Sequence, residues 1–306
     1  MQRTADIAVQ PVPTDHPSAR CDPLVTGRER LYNRYTSTHS GYGSQAAANL
    51  AFQRDVLPHL PADQAALVLD VGCGQGAMVS ELVRAGYRNA RGVDISPEQV
   101  AAAHRAGVLN VQHGDLETAL EGMDAELDVL IAVDLLEHLD RDSVLNTLGL
   151  ISRALRPGGT LLARTPNGVS PFAGNFQFGD LTHETCFTPR SIRQALRVTG
   201  FVNIDVRPCE PFVHGAASRA RWLLWRILSI LYKAALGVET GSPRGHVVTQ
   251  NMLVVASTPV PVNRPRFDAE PSRQGGGSRS KSAFWTATSH VDQAGEPTRS
   301  GYPEDC

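Results

Sequence analysis

The chain of 306 residues has no C-x-x-C pair. Its five cysteines (Cys21, Cys73, Cys186, Cys209 and Cys306) are scattered and odd in number. That argues against a disulfide framework and against a zinc site, and for a reducing compartment. No uninterrupted apolar run reaches the length of a membrane span. The N-terminus lacks a basic segment followed by an apolar core, so no secretory leader is expected and a cytoplasmic location is. Charge of one sign is also missing in bulk. The net charge of -2 makes the chain as a whole a poor polyanion binder, and no nucleic-acid partner is expected. What is present is apolar content of 42%, enough for a packed core of one large α/β domain or two small ones.

One stretch organises the rest: Val68-Leu69-Asp70-Val71-Gly72-Cys73-Gly74-Gln75-Gly76. Leu67 to Leu69 form a short apolar run, as a strand buried on both faces would. Gly72, Gly74 and Gly76 suit a sharp turn that a ligand can approach closely. Glu81, Leu82 and Val83 continue as a helix that Gly86 stops. The acidic residue decides which ligand fits. A dinucleotide would lay its pyrophosphate on this turn, where Asp70 would repel it. A ligand with a positive head avoids the conflict, and the sulfonium and ammonium of S-adenosylmethionine both suit a carboxylate. Gly72, Gly74 and Ala77 also fit the G-x-G-x-x-G/A spacing, which keeps a nicotinamide oxidoreductase as an alternative of another class. A ligand-free glycine turn is a further alternative.

Leu69 to Gly76 resembles the first motif of class I S-adenosylmethionine-dependent methyltransferases. Alternating strands and helices follow, the pattern of a mostly parallel, doubly wound sheet. Ala66 to Val71 is the first strand and Ala90 to Asp94 the second. Asp94 lies roughly 20 residues beyond the turn, where an acidic side chain can accept both ribose hydroxyls. Ser96 is the expected cap of the next helix, with Pro97 in its first turn. Leu109 to His113 is the third strand, followed by Gly114-Asp115-Leu116. The resemblance implies that Asp115 faces the adenine amino group. For Asp94 or Asp115 taken alone, the alternative is a helix cap. Leu127 to Val133 is the fourth strand, ending in Asp134-Leu135-Leu136-Glu137-His138-Leu139. That segment resembles the fourth motif of the subgroup containing the ubiquinone-biosynthesis O-methyltransferases. A helix from about Arg141 to Leu155, a turn at Arg156-Pro157-Gly158-Gly159 and a strand from Thr160 to Thr165 are also typical of class I enzymes. The resemblance implies a cofactor set of Asp70, Gly72, Gly74, Gly76, Asp94, Ile95, Asp115, Leu116 and Asp134, with S-adenosyl-L-methionine as cofactor.

Val169 to Phe187 is too long for a simple connection, and loops of this length are usually functional. It holds Phe172, Phe176, Phe178 and the run Gly179-Asp180-Leu181-Thr182-His183-Glu184. Thr188-Pro189-Arg190-Ser191 opens a helix that Gly200 closes. The run Gly179 to Phe201 resembles a stretch of methyltransferases encoded with bacterial surface-polysaccharide enzymes. Val202 to Val206 and Asn251 to Ala256 are two late strands. About 40 residues separate them, against the usual 2–5 of a hairpin. The expected fold is therefore a Rossmann-like, seven-stranded sheet with an antiparallel last strand and a helical insert between the last two strands.

The insert carries a helix from Ser218 to Leu236. Arg219, Arg226, Ser229 and Lys233 form one narrow polar stripe on it, with Trp222, Trp225 and Tyr232 in the apolar remainder. No acidic residue occurs between Glu210 and Glu239. Such a helix suits the surface of an anionic membrane. The alternative is packing on the protein or on a second subunit, as in a homo-oligomer. Residues 1–25 read as a disordered N-terminus, 26–63 as a helical lead-in or lid, 64–258 as the methyltransferase domain with its insert at 211–246, and 259–306 as a disordered tail. The lead-in carries Tyr32, Tyr35 and Tyr42, and Ala46 to Leu60 reads as one helix ending before Pro61. A surface helix packed on the sheet is the alternative to the lid.

Methyl transfer to a hydroxyl needs alignment, exclusion of water and a route for the proton. His183 and His138 are the candidate bases. Asp180 or Glu184 would orient a histidine or bind sugar hydroxyls. The alternatives are that His138 caps a helix or touches the cofactor and that His183 only holds its loop. Glu137-His138 and Asp180 with His183 offer possible metal ligands, but no motif establishes a metal site and none is expected. The expected acceptor is a small-molecule or lipid-linked sugar of bacterial surface polysaccharide. The alternatives are a quinone-type or other small molecule, and a binding module that holds the cofactor and transfers nothing.

Overall fold

A computed structural model of the chain describes residues 26–33, 35, 45–242 and 245–261. Tyr42, the expected disordered segment at 1–25 and the tail beyond 261 lie outside the described residues, as do Cys21 and Cys306. Cys73, Cys186 and Cys209 are free thiols.

The lead-in comprises α1 (Gly27–Asn33) and α2 (Gln45–Ala51). The single helix expected from Ala46 to Leu60 is not formed. After α2 the chain widens into a π-helical turn, Phe52–Val56, and then tightens into a 3-10 turn, Leu57–His59. Leu57 keeps right-handed α geometry, and its N–H reaches back to the Phe52 carbonyl; Pro58 has no N–H with which to continue the ladder, and the chain tightens there. The widened turn places Phe52 and Val56 in the core.

The alternation follows as β1 (Val68–Val71), α3 (Ala77–Arg84), β2 (Arg91–Asp94), α4 (Pro97–Arg105), β3 (Val111–His113), α5 (Leu116–Leu120), β4 (Leu127–Val133), α6 (Arg141–Ala154) and β5 (Leu155–Pro166). Then come α7 (Ala173–Gln177), α8 (Pro189–Val198), β6 (Val202–Pro208), α9 (Ala216–Thr240) and β7 (Asn251–Ser257). The sheet order is β3-β2-β1-β4-β5-β7-β6. The first five strands run parallel, and β7 inserts antiparallel between β5 and β6. This is the expected seven-stranded Rossmann-like sheet, with its helical insert between β6 and β7.

Alternate residues of each strand feed opposite faces. Leu69, Leu130, Leu161 and Val254 pack with Leu148 and Ile151 of α6 and Ile192 and Leu196 of α8. Val68, Val129, Ile131 and Leu162 pack with Phe52, Val56, Leu82 of α3 and Tyr87. The Pro-Gly-Gly segment is not a turn ahead of β5 but lies inside it. Pairs Leu127–Leu155 and Val129–Thr160 set two steps on β4 against five on β5, so the extra residues bulge.

The order reverses at β1, which has β2 on one side and β4 on the other. The crevice at the carboxyl end of such a switch point is where open α/β sheets take ligands. The glycine turn sits there, held by hydrogen bonds from the Gly72 and Cys73 N–H groups to the Val93 carbonyl at 2.9 and 3.1 Å. Gly76, at the entry to α3, has φ of 72°, and an added Cβ would lie 2.8 Å from Val111 Cγ2 and 3.0 Å from Val108 Cγ1. Gly76→Ala should therefore destabilise the protein by more than the roughly 1–2 kcal/mol of a left-handed backbone alone. A thermal melt lowered by several degrees is expected, and an unchanged melt would show that the turn is not under this constraint.

Candidate active site

The site is built from the carboxyl ends of β1, β2 and β4 and from the long loop after β5. Asp70 is the penultimate residue of β1 and is buried. Burial, reinforced by the neighbouring Asp94 charge, pushes its pKa up to about 8. Asp94, at the end of β2, spans the glycine turn. Its Oδ2 accepts from the Gly74 N–H at 2.7 Å and its Oδ1 from the Ser96 N–H at 2.8 Å. Burial raises its pKa, and these two backbone bonds oppose the shift. Ile95 is half exposed beside it, and Leu116 packs against the main apolar cluster.

Asp115 is the exposed N-cap of α5, accepting from the Thr118 N–H at 2.8 Å and its hydroxyl at 2.9 Å. That is the structural role the sequence also allowed. Asp134 follows β4 with φ of 52°. Its carboxylate is paired with Arg164 of β5, whose Nε donates to Oδ1 at 2.9 Å. Arg164 was not singled out in the sequence, although a lone cation in the apolar strand Leu161 to Pro166 is a readable signal.

The long loop folds back across the end of β4. Its base is closed by the Gly168 N–H bonding to the Phe187 carbonyl at 2.7 Å. Glu184 and Thr185 donate backbone N–H groups to the Glu137 carbonyl at 2.8 and 3.0 Å. This brings His138 and His183 together, with ring centroids 4.8 Å apart and an edge-on approach. His183 Nδ1 lies 3.0 Å from the Phe176 carbonyl. A carbonyl only accepts, so Nδ1 carries the proton and Nε2 keeps its lone pair. His138 Nδ1 lies 2.9 Å from Thr182 Oγ1 and 3.3 Å from the Thr182 carbonyl, which gives the same tautomer. Thr182 Oγ1 donates in turn to Asp180 Oδ1 at 2.6 Å. Burial, then the adjacent His183, lower the His138 pKa and keep that ring neutral.

The lead-in completes the cluster. The Tyr35 hydroxyl donates to Asp180 Oδ2 at 2.8 Å, and the rings of Tyr32 and Tyr35 each lie 6.4 Å from that of His138. Arg28 donates to the His138 carbonyl at 3.0 Å and approaches Glu184 at 3.8 Å. Glu137, which the sequence offers with His138 as a possible metal ligand, also lies here. It is buried, and neither carboxylate oxygen has a hydrogen-bond partner. Thr165 Oγ1 lies near it without closing a bond of normal geometry. Burial first, then Asp134, raise the Glu137 pKa well above the carboxylate range. One donor atom each from Glu137, His138 and His183 lie within 4.8 Å of one another. One carboxylate and two imidazoles form a set that a divalent transition metal accepts.

Residues 42–206 match the family described as a methyltransferase domain. The chain belongs to that family, the class I S-adenosylmethionine-dependent methyltransferases. It is 32% identical over 114 residues to a tRNA U34 carboxymethyltransferase of Cellvibrio japonicus, covering 36% of this chain and 35% of that protein. It is 29% identical over 170 residues to a ubiquinone biosynthesis O-methyltransferase of Methylobacterium nodulans, covering 50% of this chain and 66% of that one. Against these curated relatives the chain thus spans from about a third to two thirds of their length. In fold it is similar to the crystal structure of a SAM-dependent methyltransferase from Archaeoglobus fulgidus, with a TM-score of 0.54 and 20% identity over 75% of this chain and 99% of that one.

The residues present fit the family's cofactor, S-adenosylmethionine. A Cβ on Gly74 would only touch the Gln99 side chain at 3.9 Å, so it is the φ of 55° that favours glycine there. Ser96 Oγ is buried beside Asp94 with no hydrogen-bond partner. Asp94 suits a ribose diol, and Asp70 suits a cationic head and disfavours a pyrophosphate. The dinucleotide reading is set aside.

At pH 7 the Asp70 carboxyl is mostly protonated in the free protein, given its pKa of about 8. A bound cation favours the carboxylate and lowers that pKa, so binding must expel a proton. Calorimetry of S-adenosylmethionine binding at pH 7 in buffers of different ionisation enthalpy should show proton release. Affinity should tighten as pH rises toward about 8. Binding with no proton release and a flat pH dependence would contradict this account of Asp70.

Proposed function

We propose that the chain is an O-methyltransferase acting on a hydroxyl of a sugar, free or lipid-linked, of bacterial surface polysaccharide. The observation that carries this reading is the paired His138 and His183, each with a free Nε2 lone pair, held at the end of β4 beside the acidic rim. When bound, S-adenosylmethionine supplies a methyl on a sulfonium centre, open to in-line displacement. Everything else falls to the chain's own residues. Asp94 receives the ribose hydroxyls, with Ser96 Oγ as a further polar contact. Asp70 carries the negative charge beneath the cationic head. Ile95 and Leu116 offer apolar surface to the adenine, and Asp115 offers an acceptor at the head of α5.

His183 takes the acceptor's proton at Nε2, and the bond from its Nδ1 to the Phe176 carbonyl stabilises the ring as it becomes cationic. His138 stands beside it as a neutral positioning group, aligned by the Thr182–Asp180–Tyr35 chain. Tyr32 and Tyr35 of the lead-in cover this cluster as a lid and exclude water. The exposed Phe172, Phe178 and Leu181 of the long loop are the surface on which an acceptor with an apolar portion would rest. A lipid-linked sugar would be met at the inner face of the cytoplasmic membrane. A quinone-type acceptor is the second reading, favoured by the similarity to a ubiquinone biosynthesis O-methyltransferase.

The test is turnover to S-adenosylhomocysteine with a panel of nucleotide sugars, lipid-linked glycans and catechol-type quinone precursors. Turnover on a sugar acceptor is expected; turnover only on the catechols would replace this reading with the second. On the working acceptor, His183→Ala should lower kcat by about 10²–10⁴-fold while leaving cofactor affinity unchanged. Full turnover by that variant removes His183 as the base. Turnover of the wild type is expected to survive chelation. Loss that is restored by a divalent ion would instead assign Glu137, His138 and His183 to a metal.

A further inference from the structure

Helix α9 docks through a mixed seam and leaves an aliphatic face outward. Ser218 and Ser229 are buried, and Trp222, Trp225, Tyr232, Lys233 and Leu236 are half-buried. These positions recur at steps of three and four and form one seam against the protein. The polar stripe therefore does not face solvent as a whole, since Ser229 and Lys233 turn inward. With Glu210, Arg226 and Thr249 they line a cavity of about 210 Å³ between the helix and the sheet edge. The tryptophans belong to the seam as well, not to the outward face. Turned outward instead are Leu223, Leu224, Ile227, Leu228, Ile230 and Leu231, each between 52% and 63% exposed, with Val238 at 88%. Along the helix this strip runs ~23 Å. Monomeric proteins rarely leave a continuous aliphatic patch of this kind uncovered.

Charge indicates the cover. At 100° per residue, Arg219 and Arg226 fall along one border of the strip and Arg221 along the other, and all three are exposed. The Arg226 guanidinium lies over the Trp222 ring at 5.1 Å, its stem along the helix surface. No Asp or Glu occurs from residue 211 to 238. A second copy of this helix would bring the same cations and no carboxylate to meet them. An anionic lipid surface supplies the missing charge, and its acyl region accepts the leucines. No helix among the described residues is long and apolar enough to cross a membrane, so α9 would lie in the plane of the surface.

We propose that α9 binds the protein peripherally to a bilayer containing anionic lipid, through the outward strip and its flanking arginines. This inference does not depend on the acceptor, and its test contains none. The full chain is floated with vesicles of equimolar phosphatidylcholine and phosphatidylglycerol, and with vesicles of phosphatidylcholine alone. The wild type is expected to float with the anionic vesicles and to be released by high salt. The variant Leu224→Glu/Leu231→Glu changes only exposed side chains; it should keep the wild-type circular dichroism and cofactor affinity yet lose roughly tenfold or more in partitioning. Arg219→Glu/Arg221→Glu should abolish the preference for anionic over neutral vesicles. Equal partitioning of wild type and the leucine variant overturns the proposal. So does a wild-type dimer in light scattering that ignores vesicles and becomes monomeric in that variant, which would make the strip a contact between copies.

Discussion

The structure depends on keeping negative charge close to the protein interior at one place. Asp70 lies one residue before the end of β1, beneath a turn of three left-handed glycines, and Asp94 ties that turn down through the Gly74 N–H. Two carboxylates so near each other disfavour joint ionisation, and burial adds to the cost. The fold tolerates this by leaving Asp70 protonated near neutral pH. A cation is the partner that relieves the strain, and a phosphate is the one that worsens it. Ligand choice is thus written into the electrostatics of β1 and β2 before any acceptor is considered.

The proposed proton acceptor lies on the other side of the switch point. The residues after β4 are short of room, and the long loop after β5 packs directly on them. Backbone bonds from Glu184 and Thr185 to the Glu137 carbonyl fix the loop, so that His183 reaches His138 by construction and not by chance. Carbonyl groups then determine the tautomer of both rings. Asp134, which ends β4 in a left-handed conformation, is engaged by Arg164. Asp134 still raises the pKa of the buried Glu137, and the paired Arg164 offsets only part of that rise.

Much of this was legible in the sequence because it is local. The Val68 to Gly76 motif, Asp94 at its spacing and the Pro97 helix start all follow from backbone rules that act within a few residues. Strand alternation was legible for the same reason, and the gap between Val206 and Asn251 announced the insert. What escaped is non-local. Pairing of Asp134 with Arg164, of Tyr35 with Asp180, and of His138 with Thr182 joins residues 30 to 145 positions apart. The Ala46 to Leu60 segment has helical periodicity, yet Pro58 and the need to seat Phe52 and Val56 in the core break it into three kinds of turn. For α9 the periodicity identified the stripe, but only tertiary packing decides which face docks. Here Ser229 and Lys233 of the stripe turned inward with the tryptophans, while Arg219 and Arg226 stayed exposed.

The central claim is that Asp70 and Asp94 hold a cationic, adenosine-bearing donor at the carboxyl edge of β1 and β2. A crystal structure of the protein grown with S-adenosylhomocysteine tests it most directly. The account predicts the ribose hydroxyls on the Asp94 carboxylate and the amino-acid portion over the glycine turn above Asp70. Density for the nucleoside elsewhere, with that edge empty or filled by the phosphates of a nucleotide, would contradict it.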